Sequence, residues 1–235
     1  MTIFSQEKLK TRLYSQGAEI VRFVDISNLS KTENKGYTSA ILIGIVLSAD
    51  FIRQITDTPD YVEKMIRNKQ IKEDEFHIKE TQTDNLADST ASYLSSMGYL
   101  AYSQSEKNIL ATGFYTEKTK STPLPHKTIA GLAGLGWIGK HNLIVTPEFG
   151  SALSLCSVLT NAPLETILHE PQESKCGNCN ICKNICSVKA IKGNLWNPDT
   201  TRDEIVDVFK CNTCLKCLAL CVWTQKYMKR NPSDT

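Results

Sequence analysis

Eight cysteines in the last quarter of the chain limit how it can fold more than any other feature. Cys176, Cys179, Cys182 and Cys186 are spaced C-x2-C-x2-C-x3-C, and Cys211, Cys214, Cys217 and Cys221 repeat that spacing 35 residues further on. Three thiolates within seven residues can surround three corners of a cubane, while the fourth, displaced along the chain, points away to serve a second site. Two complete sets predict two [4Fe–4S] clusters. Structural zinc also uses C-x2-C pairs, but normally as two separated pairs per ion.

The segment from Lys175 to Arg230 holds ten Lys/Arg against four Asp/Glu, a local excess of six positive charges. A cluster with its four thiolates is an anion, so this excess, including Lys226, Lys229 and Arg230, compensates the clusters or docks an acidic electron donor. Over the whole chain the net charge is only +2, which offers no general case for nucleic acid. With 235 residues, 41% hydrophobic and 22% charged, the chain has room for one large domain or one medium and one small, and it is not a disordered or collagen-like sequence. The apolar run from Ala40 to Leu47 falls far short of the roughly 20 residues of a membrane span. The N-terminal M-T-I-F-S-Q-E-K-L-K has neither a basic leader nor a cleavage site. The expectation is a cytoplasmic protein without membrane contact, where clustered cysteines mean metal.

Residues 5–16 predict a helix, with Ser5 as cap, Leu9 and Leu13 on one face and Gly17 as terminator. Ile20–Ile26 and the unbroken A-I-L-I-G-I-V-L within Ser39–Leu47 predict strands, the second buried on both faces. Pro59 opens a polar, mostly helical stretch that ends at Gly98, and short strands are expected at Tyr99–Ser103, Asn142–Thr146 and Ala152–Leu159. Cys156, alone in an apolar stretch, reads as a packing residue. The four histidines, His77, His126, His141 and His169, read as solvated or packing residues.

Ala133 to Lys140, A-G-L-G-W-I-G-K, satisfies two phosphate-binding templates at once. Gly134, Gly136 and Gly139 match G-x-G-x-x-G, but that fingerprint needs a strand before it and a helix after, and the flanks here have the opposite character. Gly134 to Lys140 also fits G-x4-G-K, yet His141 stands where a P-loop needs Ser or Thr. The plain alternative is that these glycines let a helix and a strand pack closely.

The spacing of the cysteines resembles that of bacterial two-cluster ferredoxins, except that Ser187 and Val222 replace the proline after each fourth cysteine. That resemblance implies Cys176, Cys179, Cys182 and Cys221 at one cluster and Cys211, Cys214, Cys217 and Cys186 at the other. The run L-P-H-K-T-I-A-G-L-A-G-L-G-W-I-G-K-H-N-L-I-V-T-P-E-F-G-S, followed by S-V-L-T-N-A-P-L and the cysteine repeats, resembles the epoxyqueuosine reductase family, which is akin to the reductive dehalogenases. The resemblance is specific over about residues 122–223. It implies an α/β (α+β) fold, with a nitroreductase-like corrinoid-binding domain over residues 1–168 and a bacterial ferredoxin-like two-cluster module over residues 169–235.

By the same resemblance, a soluble low-potential donor of flavodoxin or ferredoxin type feeds two [4Fe–4S] clusters, which reduce a bound cobalamin. Cysteine-ligated clusters reach the low end of a window of about −700 to +450 mV, as reduction to Co(I) demands. Gly134, Gly136, Trp137, Gly139, Lys140, Gly150 and Ser151 match the family's motif and are expected to shape the corrinoid pocket. Asp60 and Tyr61 are the nearest match to the family's catalytic Asp-Tyr-His stretch, with Val62 in place of the histidine, and are expected to deliver a proton. Family members continue into a helical-repeat region that helps hold tRNA, whereas this chain stops at Thr235, so a small molecule and a modified nucleoside both stand as substrate classes. The expected function is an iron–sulfur oxidoreductase driving a reductive reaction on a corrinoid. The alternative is an electron-transfer or corrinoid-handling protein with no organic substrate of its own.

Overall fold

Apolar spacing and turn residues account for most of the local structure. The computed structural model describes residues 4–58 and 60–232, so Pro59 lies outside the described residues. In chain order the elements begin with α1 (Gln6–Ser15), β1 (Ile20–Asp25), α2 (Lys31–Asn34), β2 (Ser39–Val46), α3 (Ala49–Asp57), α4 (Tyr61–Arg67) and α5 (Glu75–Ser96). They continue with β3 (Ala101–Ser103), α6 (Glu106–Ala111), α7 (His126–Leu132), β4 (Trp137–Ile138), β5 (Ile144–Val145) and β6 (Leu153–Thr160). The short helices α8 (Ile181–Asn184), α9 (Arg202–Ile205) and α10 (Lys216–Ala219) precede the terminal α11 (Val222–Arg230). Two compact units divide these elements, and each is assembled from three separate stretches of chain.

The first unit comprises Met1–Ile45, Lys79–Gly134 and Ser154–Glu170. Its sheet has the order β1-β2-β6-β3, with β1 antiparallel to β2 in the register Val21↔Ile43 and β3 antiparallel to β6 in the register Tyr102↔Leu159. Every residue of β2 is buried, as expected of an interior strand covered on both faces. Ser5 caps α1 by accepting from the Lys8 N–H (3.3 Å), Leu9 and Leu13 face inward, and Gly17 ends the helix at φ +99°. Helix α5 lays Leu86, Ala87, Ala91 and Leu94 into the same core as Ile41, Ile43 and Val158. Each large side chain fully buried there contributes about 1.5–3 kcal/mol. Cys156 belongs to this core, wholly buried, with its thiol beside the Asp84 carboxylate.

The second unit comprises Val46–Ile78, Leu135–Leu153 and Pro171–Thr235. The segment expected as a module over 169–235 therefore shares its unit, from Pro171 on, with two earlier stretches. Helix α3 buries Phe51, Ile52 and Ile55 and packs against α10 and α11. Tyr227 Oη donates to the Leu47 carbonyl (2.9 Å), and Gln225 Nε2 donates to Thr56 Oγ1 (3.0 Å). Ser48 caps α3 through the Phe51 N–H (3.0 Å), and its own N–H and hydroxyl both donate to Glu75 (2.6 Å each).

Strands β4 and β5 form a two-stranded hairpin with Trp137 opposite Val145. The glycine-rich segment thus follows a helix, α7, and runs into this hairpin, so the strand–turn–helix of a dinucleotide or phosphate loop is absent there. A Cβ on Gly136 would strike the Val145 carbonyl, and one on Gly150, at φ +60°, would strike the Thr224 backbone. Close packing of the chain on itself explains both glycines.

Candidate metal centre

Two cavities of the second unit divide the eight cysteines between them. One, of about 180 Å³, is lined by Cys176, Cys179, Cys182 and Cys221. The other, of about 120 Å³, is lined by Cys186, Cys211, Cys214 and Cys217. The fourth cysteine of each repeat thus stands with the first three of the other. Local structure drives this crossing. The Cys182 side chain leaves α8, Cys186 lies beyond that helix and accepts from the Ala190 N–H (3.3 Å), and Cys221 is the N-cap of α11. Gly177, Thr213 and Leu215 adopt φ of +50°, +55° and +57° inside the cysteine loops. Such reversals of hand build concave nests of backbone N–H groups that suit anionic clusters, and in Thr213 and Leu215 they hold side-chain-bearing residues in a disfavoured region.

Burial pushes the Cys182 thiol up to about 11, and the neighbouring Cys176, Cys221 and Cys179 add to it by charge repulsion. Cys217 is raised further, by burial first and then by Cys214 and Cys211. Thiols gathered and buried in this way do not persist as thiolates without a cation among them, whereas a coordinating metal deprotonates them outright. Among the described residues no three His, Cys, Asp or Glu side chains converge on a single-ion site. The donor set, four cysteines lining each cavity, is the set a cysteine-ligated cluster requires.

Lys140, His141, Lys175 and Lys226 also line the first cavity, and His141 lines the second as well. His141, expected as a solvated or packing residue, is buried at this junction. Its Nδ1 accepts from the Leu143 N–H (3.2 Å), and its Nε2 meets Ser151 Oγ (3.3 Å), whose proton goes to the Ile144 carbonyl (2.9 Å). Nε2 is therefore the protonated ring nitrogen. Trp137 is buried with Val145 and Cys221, edge-on to Trp223 (5.0 Å between ring centroids), and its indole N–H has no partner among the described residues. Gly139 is closed in by the His141 ring and Val145. Gly136, Trp137, Gly139, Lys140, Gly150 and Ser151 are thus gathered in and beside the β4–β5 hairpin, from which Lys140 lines the first cysteine cavity and Trp137 packs with Cys221. Gly134 lies in the other unit, at φ +70° against the His169 ring.

Asp60 precedes α4, exposed, and pairs with Lys64 (3.0 Å), which holds its carboxyl below the usual range. Tyr61 packs edge-on to Phe51 (6.0 Å) and is pushed up to about 12 by burial and by the Asp74 charge. Asp74 is buried, its Oδ1 accepting from the Phe76 N–H (2.8 Å) and its carboxylate also accepting from the Tyr61 hydroxyl. On the same helix Glu63 pairs with Lys216 (3.4 Å), a residue of the second cavity. Lys140 was expected at a corrinoid pocket and His141 at no site; that both line the cavity of Cys176, Cys179, Cys182 and Cys221 depends on a hairpin folding back onto cysteines some forty residues away, which leaves no local mark.

The structure is thus that of a mixed α/β protein with two four-cysteine cavities. No family model matches the chain. Among curated proteins it is similar to the epoxyqueuosine reductases of Vibrio cholerae (40% identical over 97 residues, 41% of this chain and 23% of that one) and Bacillus anthracis (34% over 110 residues, 39% and 28%). Its matches therefore span about a quarter of the length of those relatives. Among solved structures, an epoxyqueuosine reductase with an epoxyqueuosine-modified tRNA-Tyr stem loop shares the fold (TM-score 0.57, 15% identity, covering 94% of this chain and 65% of that one). A catabolic reductive dehalogenase does so too (TM-score 0.63, 16% identity, 93% and 32%). The mixed α/β fold is the one these two groups share, and the epoxyqueuosine reductase-like resemblance in the sequence is supported by both comparisons. No helix among the described residues is long and apolar enough to cross a membrane.

Proposed function

We propose that the chain is an iron–sulfur reductase that carries low-potential electrons through two [4Fe–4S] clusters. The observation that carries this reading is the division of the eight cysteines into two crossed sets of four, each around its own cavity. Anaerobic reconstitution is expected to give about eight iron and eight sulfide per chain, read by metal analysis and by two reduced-cluster paramagnetic signals. Stoichiometric zinc without iron overturns it.

Similarity to epoxyqueuosine reductases and to reductive dehalogenases supports a corrinoid as the terminal acceptor. When bound, a corrinoid supplies a strongly reducing cobalt centre. The chain's own residues supply the approach to it: Cys176, Cys179, Cys182, Cys186, Cys211, Cys214, Cys217 and Cys221 ligate the clusters, and the β4–β5 hairpin frames the first of them. Tyr61, which keeps its proton across the physiological range, is the proposed proton source, with Asp60 beside it, ionised and paired with Lys64 along the first turn of α4. The setting is a reducing, cytoplasmic one, with a flavodoxin- or ferredoxin-type donor and a small molecule or modified nucleoside as substrate. A protein that reduces a corrinoid held elsewhere is the second reading. Cobalamin titration, followed by absorbance, separates the two.

A further inference from the structure

We propose that Lys140 makes the two cysteine sites unequal, holding a cluster at Cys176, Cys179, Cys182 and Cys221 at a higher reduction potential than its neighbour. The inference rests on the two-cluster reading above and concerns how that pair distributes an electron.

Lys140 is 5% exposed, and its ammonium donates to Asn180 Oδ1 (3.3 Å). Among the described residues no carboxylate pairs with it. A buried ammonium facing only a neutral amide is costly unless an anion shares its surroundings. The wall it occupies is that of the first cysteine cavity, where the cluster and its thiolates are that anion. Lys175 and Lys226 add two more positive charges to the same wall, held over the rings of Trp137 (5.2 Å) and Trp223 (4.3 Å).

The second cavity has a different wall. It is lined by Val188, Ala190, Ile191, Val206 and Leu218, and its one lysine, Lys216, is already paired with Glu63 (3.4 Å). Reduction adds one negative charge to a cluster. Three lysines stabilise that charge, and an apolar wall with a neutralised lysine does not. One electron shared between the sites therefore settles on the first: the second cluster is oxidised by one electron as the first is reduced by one, with no proton taken up. Sequence proximity alone would assign Lys140 to the glycine motif; its burial and direction assign it to the cysteines.

The test is a potentiometric titration of the anaerobically reconstituted full chain, followed by electron paramagnetic resonance, with Cys179→Ser marking which signal belongs to the first site. Lys140→Gln is expected to lower the equilibrium constant for reducing the first cluster by about tenfold, equivalent to about 59 mV for a one-electron step, while the other step stays in place. Lys140→Arg restores the wild-type value. Lys226→Gln, at an exposed position, moves the same step in the same direction by less. A shift of the other step, no shift at all, or an arginine variant that behaves like glutamine overturns the proposal. If Lys140→Gln fails to assemble its cluster, Lys226→Gln decides, since an unmoved first step there is equally fatal. A wild type without two cluster signals takes the two-cluster reading down as well, whereas two signals with an unmoved first step reject this proposal alone.

Discussion

Glu80 and His126 give the first unit opposing responses to pH. Glu80 is an exposed residue whose carboxyl end is partly desolvated, which pushes it up to about 7, with Glu106 and Asp84 adding charge repulsion. Its folded form prefers the proton, so its contribution is fully present below about pH 4.5 and is lost as pH rises toward 7. The His126 ring, with Nδ1 at Ser157 Oγ (2.9 Å), is lowered to about 4 by burial. Its contribution is present above about 6.5 and is lost as pH falls toward 4. Because the two overlap, the difference between variants is the readable quantity. Glu80→Gln is expected to gain stability over the wild type at pH 8 relative to pH 4.5, measured as the shift in denaturation midpoint. A difference that is the same at both pH values counts against the shifted carboxyl.

At the scale of elements, two glycines separate conformational entropy from close packing. Gly131 sits inside α7 with nothing within 4 Å of a Cβ added there, so Gly131→Ala is expected to stabilise by about 0.5–1 kcal/mol. Gly136→Val places a branched side chain against the Val145 carbonyl across the β4–β5 hairpin. A loss of about 3 kcal/mol or more is expected in thermal unfolding, with the first cluster lost alongside because Cys221 packs on that hairpin. Retention of all the iron in that variant would detach the hairpin from the cysteine site. The same contrast shows what the sequence made legible. The helix read over residues 5–16 and the buried strand over Ser39–Leu47 appear as α1 and β2, because capping and burial leave local, periodic marks. Spacing gave two sets of four cysteines, and the ferredoxin resemblance implied that they cross. The role of Lys140 and His141 was not legible, since a glycine motif looks the same whether it cradles a ligand or its own chain.

For the whole molecule, the proposed clusters together with the division into two units predict unequal loss of order when iron is removed. Chelation after oxidation is expected to abolish hydrogen-exchange protection along the cysteine segments, where burial is thin, while the amides of β1, β2 and β6 stay protected by their own core. Uniform loss across both units would refute the separation. The crossing of Cys186 and Cys221 has a consequence for biosynthesis. A chain leaving the ribosome shows Cys182 39 residues before Cys221, and the other set likewise cannot gather until both repeats have emerged. Neither half of the repeat can therefore be matured alone. Helix α11, which begins at Cys221, is the clasp on the first cavity, so the proposed cluster there can be inserted only after that helix has been made.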